Sequence, residues 1–150
     1  MLYIIFLVLH NLVRWLVLIT AIFALFRAYR GWLGKVEWKN LDRRAGVFFT
    51  STMDLQMLLG LILYIGLSPI TRVFFSNIPQ AISSGGEVAF FGVEHIVTMV
   101  IAVILAHAGS AMSRKTGDSA RQHRTAAIFY TLSVLAVILA IPWWRPLLRL

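Results

Sequence analysis

Apolar residues run along this chain in four long stretches, roughly 3–26, 46–68, 88–111 and 126–144, and the short segments between them hold most of the charge. Each stretch supplies the ~20 residues that a helix needs to cross about 30 Å of hydrocarbon. The pattern predicts an all-α protein, an integral membrane antiparallel four-helix bundle in which residues 1–150 form a single transmembrane domain. The first apolar run follows Met1 directly, with neither a basic n-region nor a clear small-residue cleavage site, so it reads as a retained span rather than a signal peptide.

Composition agrees with the pattern. Hydrophobic residues make up 59% of the chain and charged residues 13%, and mean hydropathy is +0.81, values foreign to a water-soluble domain of this size. The absence of cysteine excludes disulfides, thiolate metal sites, iron–sulfur clusters and covalently attached c-type haem. The net charge of +8 reports topology rather than nucleic-acid binding. Arg27, Arg30, Lys35, Lys39, Arg43, Arg44, Arg114, Lys115, Arg121 and Arg124 lie between spans one and two or three and four, against Arg72, Arg145 and Arg149 on the other side. The excess of Lys and Arg places the first group in the cytoplasm, so the expected arrangement is multi-pass with both termini outside. Trp32, Trp38, Trp143 and Trp144 near span ends read as interfacial anchors.

The connection from Pro69 to Glu87 is too apolar for a solvated loop, holding Ile70, Val73, Phe74, Phe75 and Ile78 before Ser83-Ser84-Gly85-Gly86. A short surface helix would bury those groups and cover the outer half of the bundle. The segment Ser113 to Arg124 reads as a solvated inner loop that carries His123.

An internal echo suggests a duplicated helical hairpin. Residues Arg43 to Thr50 align with Arg124 to Thr131, matching at Arg, Ala, Phe and Thr. His10 is followed after eleven and fourteen residues by Ala21 and Ala24, and His95 at the same spacings by Ala106 and Gly109. Copies of one orientation would be related by an approximate two-fold axis along the membrane normal. Spans one and three would then lie diagonally opposite, with His10 and His95 at nearly equal depth in the outer half. Inward of each histidine the same face turns to small residues, so the inner halves can approach closely while the outer halves stay apart.

An ionisable residue within a bilayer is a functional hypothesis by default. Two imidazoles at one depth suit the axial positions of a b-type haem iron, which makes His10 and His95 the candidate metal ligands and cofactor-binding residues. Copper, or a plain pair of buried histidines hydrogen-bonded to Glu94, Asn11 or backbone, is the alternative. Arg14, near the middle of span one, needs a partner, and Asp54 in span two is the expected one, an intramembrane ion pair. His107 lies about 120° around its helix from His95. With a single histidine in span one, at most one haem is expected.

The segments Asp54 to Leu61, Val93 to Met99 and His123 to Tyr130, with Ile141-Pro142-Trp143 after them, resemble small bacterial four-helix membrane proteins labelled cytochrome b-like. The resemblance spans most of the chain and implies a bacterial inner (cytoplasmic) membrane location and haem b on His10 and His95. Two functional expectations follow. One is a haem electron-transfer subunit of a respiratory or photosynthetic complex, non-catalytic in itself, in contact with lipid, other subunits and a quinone. The other is a cofactor-free accessory subunit packed against a larger membrane complex. Catalytic residues are expected in neither.

Overall fold

The computed structural model describes residues 1–146, which are helical throughout apart from short turns, with no strand among the described residues. Four helical segments are long and apolar enough to cross a membrane: Leu2–Gly34, Asn40–Leu67, Gly86–Ser113 and Ser119–Ala140. Arg149 lies outside the described residues.

The first helix, α1 (Leu2–Gly34), ends where Lys35 takes the left-handed conformation, φ 50°, and returns its backbone N–H to the Gly31 carbonyl. After a tight turn, α2 (Asn40–Ile62) begins on Asp42, whose carboxylate accepts the Lys39 backbone N–H at 2.8 Å and the Arg27 guanidinium at 2.7 Å. That buried carboxylate caps α2 and ties it to α1 at once. A π-helical turn over Leu63–Leu67 extends α2, and Pro69 then opens a short helix, α3 (Pro69–Ser76). A second short helix, α4 (Ile78–Ser84), leads to α5 (Gly86–Ala89), through Gly85 and Gly86 at φ 65° and 71°. Positive φ at two consecutive residues explains the glycine pair. Another π-helical turn, Phe90–Glu94, runs into α6 (His95–Ser113). The last helix, α7 (Ser119–Ala140), is capped by Asp118, which accepts the Arg121 N–H at 2.9 Å. It stops before Pro142, with Ile141 in the extended region that a following proline imposes.

The long helices contact one another in a closed ring: α1 on α2, α2 on α6, α6 on α7 and α7 on α1. Spans one and three therefore face each other across a diagonal, as do two and four. A side-chain hydrogen bond bridges each adjacent pair: Thr20–Thr52 at 2.7 Å, Asp54–His107 at 2.7 Å, Ser133 to the Ala102 carbonyl at 2.7 Å, and Tyr29–Thr131 at 2.8 Å.

The two ends of the ring differ. Near the α1–α2 and α6–α7 turns the interior is built from Ala21, Ala24, Ala28, Ala102, Ala106, Ala126 and Ala127, all buried, around Phe49 and Tyr130. Small residues let backbones approach, and the gain is close van der Waals packing. The echoed positions share this role, since Ala45, Gly46 and Phe49 are buried in α2 just as Ala126, Ala127 and Tyr130 are in α7. At the opposite end α3 and α4 form a cap. Thr71 and Phe74 face inward, whereas Val73, Phe75, Ile78 and Ile82 are exposed. Two hydrogen bonds pin the cap, from Thr71 Oγ1 to the Tyr64 carbonyl and from Tyr64 Oη to the Gly92 carbonyl, both 2.7 Å. The surface helix expected between Pro69 and Glu87 is thus a pair of short helices.

Two expectations change. The span taken to start near residue 126 begins seven residues earlier, so His123 lies not in a solvated loop but inside α7. It is fully buried, under Trp38 at 4.7 Å between ring centres and against Gly31, where a Cβ would overlap the imidazole. The cause is the Asp118 cap, which starts the helix before its sequence turns apolar. Trp38 is accordingly a cover for His123 as well as a residue near a span end.

Candidate functional site

His10 and His95 meet across the diagonal near the capped end, with ring centres 6.4 Å apart and ring planes at 65°. His95 opens α6 directly after the π-helical turn, and its Nδ1 is held at 2.8 Å from the Ala140 carbonyl, one of the last acceptors of α7. That carbonyl accepts Nδ1–H, which leaves Nε2 as the nitrogen with a free lone pair. Phe90 and Phe91 stand beside the His95 ring at 5.8 and 5.6 Å.

His10 is held by a residue that the sequence reading did not single out. Gln56, buried in α2, places its amide nitrogen 3.1 Å from His10 Nε2. Gln56 Oε1 and His10 Nδ1 are both buried without a hydrogen-bond partner among the described residues. Amide orientation is a choice between two nearly identical shapes. Turned over, Gln56 Oε1 accepts the Nε2–H, and Nδ1 becomes the lone-pair nitrogen of His10. Gly60, one turn on from Gln56, gives the ring its room: a Cβ there would sit 3.2 Å from His10 Cε1. The signal in the sequence was an uncharged polar residue inside the span, two positions after Asp54 and four before Gly60.

Two cavities flank the histidine pair. One, bounded by α1, α2, α6 and the cap, is lined by His10, Gln56, Gly60, Tyr64, Thr71 and His95 and holds about 700 Å³ between atoms, its open mouth included. The other, toward α7, holds about 720 Å³ on the same basis and is lined by His10, Arg14, His95, Val137 and Ala140 among others. Arg145 borders both, its guanidinium over the Phe91 ring at 4.6 Å and paired with Glu87.

The donor set can be tested against a bis-imidazole metal group. With about 2 Å from a metal to each imidazole nitrogen and roughly 1 Å more from nitrogen to ring centre, given ring bonds of about 1.3–1.4 Å, two axial rings have centres about 6 Å apart. The 6.4 Å observed is close to that separation. A flat group between the rings would extend into the two cavities, one on each side. No group of three or more His, Cys, Asp or Glu suited to a metal ion occurs among the described residues. The candidate donors are these two imidazoles, a set that would suit a group bringing its other ligands with it.

The expected Arg14–Asp54 ion pair is not formed. Asp54 Oδ1 sits 2.7 Å from His107 Nε2 on α6. The reason is angular: Met53 and Gln56 take the inward positions of α2, which turns Asp54 sideways toward α6. Arg14, one turn from His10, faces the α7-side cavity with its guanidinium 6.0 Å from the Trp15 ring. His107 and His123 both stand apart from the His10–His95 pair.

Comparison with family models, curated proteins and solved structures found no match.

Proposed function

We propose that the chain is an antiparallel four-helix bundle of a bacterial inner membrane that holds one b-type haem between His10 and His95, as an electron-transfer subunit of a respiratory or photosynthetic complex. The observation that supports this most is the 6.4 Å spacing of the two rings, with a cavity on either side. The resemblance to small cytochrome b-like proteins points the same way. When bound, such a group supplies one-electron redox chemistry with both axial positions filled.

The residues of the chain do the holding. Ala140 fixes the tautomer of His95 and Gln56 that of His10, so that each ring offers one basic nitrogen. Gly60 leaves space beside His10, and the aromatic pair Phe90–Phe91 keeps the surroundings of His95 apolar. The cap screens this end of the cavity from water, with a quinone or a neighbouring redox centre as the exchange partner. A second reading, a cofactor-free accessory subunit, is favoured by the fact that both imidazoles already have protein partners in Gln56 and Ala140.

The visible spectrum separates the two. Purified from cells with ample haem synthesis, the wild-type protein should show a six-coordinate low-spin spectrum. His10→Ala and His95→Ala should each abolish it, while His107→Ala and His123→Ala retain it. Survival of the six-coordinate spectrum in His10→Ala ends the haem assignment, and a colourless wild-type protein favours the accessory subunit.

A further inference from the structure

Among the hydrogen bonds that bridge adjacent long helices, the one between Asp54 and His107 faces outward. Asp54 and His107 leave 54% and 50% of their side chains exposed, whereas the bridge from Ser133 to Ala102 is buried and those of Thr20 and Tyr29 are partly so. Both residues lie well inside segments apolar enough to span a membrane. Asp54 is ten residues beyond Arg44, or about 15 Å along the helix, and His107 is six residues before the end of α6, or about 9 Å. Ionisable side chains at such depth face protein or a water-filled cavity, because lipid offers them no partner. Here Asp54 Oδ2 and His107 Nδ1 take no other hydrogen bond among the described residues. Around them the face is apolar or small: Leu58 and Ile104 are 56% and 60% exposed, and Ser51 and Ala111 are exposed too.

We propose that this α2–α6 face is the contact between two copies of the chain, Asp54 and His107 of one meeting His107 and Asp54 of the other. Copies inserted in the same orientation are related by a two-fold axis along the membrane normal, so each group meets its partner at equal depth. A donor–acceptor pair is complementary to itself under that axis. Each imidazole keeps Nε2 on its own carboxylate and offers Nδ1–H to the free carboxylate oxygen of the other copy. The result is a closed, electroneutral square of two carboxylates and two imidazolium rings, all donors and acceptors satisfied. Ser51 and Ala111 beside it permit close approach of the helices. An unrelated partner subunit would need its own matching donor and acceptor at this depth; a second copy supplies them by symmetry.

The chain contains no cysteine, so single-cysteine cross-linking in native membranes tests the contact directly. Under mild oxidation Ser51→Cys and Ala111→Cys should give a disulfide-linked species of twice the monomer mass. Ile22→Cys, exposed on α1 across the ring, should not. Asp54→Leu combined with His107→Leu should reduce that species about tenfold, given the modest worth of interhelical polar contacts in membranes, while helix content by circular dichroism stays unchanged. The proposal is overturned if Ile22→Cys cross-links as readily, if no dimer forms from either position, or if Ser51→Cys is captured by a different protein instead. The proposal is independent of haem binding.

Discussion

At the scale of single residues, one of the most constrained contacts is that between Gly31 and His123. A methyl group on Gly31 would overlap the imidazole, and both lie in the interior. Gly31→Ala should therefore lower stability by about 1–3 kcal/mol, the usual cost of overpacking. Gly31→Ala/His123→Ala should lose less than the two single variants added together, since the second change removes the obstacle of the first. Thermal unfolding of the detergent-solubilised proteins reads the cycle, and additive losses would show that the two residues are not coupled. The sequence marked His10 and His95 because ionisable groups stand out against an apolar span. Gln56, which orients His10, was not marked, because a neutral amide two positions from Asp54 draws no attention until its neighbours are known. The Arg14–Asp54 expectation failed for a related reason: depth along a helix can be counted, but the direction in which Asp54 points depends on which faces of α2 are buried.

At the scale of helices, hydropathy located all four long segments and misjudged their ends. Apolar runs mark only the part suited to hydrocarbon, whereas α1 continues to Gly34, and α2 and α7 begin at Asn40 and Ser119, on polar caps. The Asp42 cap carries more than a helix end. Its carboxylate is buried with the Arg27 guanidinium, so Asp42→Ala strands a buried cation and should cost about 3–5 kcal/mol. Arg27→Met/Asp42→Leu should recover much of that loss, because no uncompensated charge remains. Equal destabilisation of single and double variants in the same unfolding assay would indicate that the cap, rather than the ion pair, accounts for the effect. The echo between α2 and α7 was legible as a match of residue types. Its structural meaning, shared buried positions, emerges only once the ring of helices is known.

At the scale of the whole molecule, the split of basic residues sets the expected orientation: the α1–α2 and α6–α7 turns inside, the α3–α4 cap outside. Gly117 has open space around it and Ser83 is exposed, so cysteines at either position should leave the fold intact. In intact spheroplasts a membrane-impermeant maleimide should label Ser83→Cys, and should reach Gly117→Cys only after permeabilisation; the reverse pattern would invert the topology. The ring also contains two places where the helical count is interrupted. A π-helical turn holds one residue more than an α-helix needs, so Leu63–Leu67 and Phe90–Glu94 each amount to a single-residue insertion. The wide turn absorbs that extra residue, so the segments on either side keep their faces, and deleting one residue from the second turn should restore a plain α-helical count with His95 on its present face. The local aim of Phe90 and Phe91 and the aim of the histidine are thus set in separate stretches of chain, and a lineage can gain or lose one residue beside the site without turning the helix that carries it.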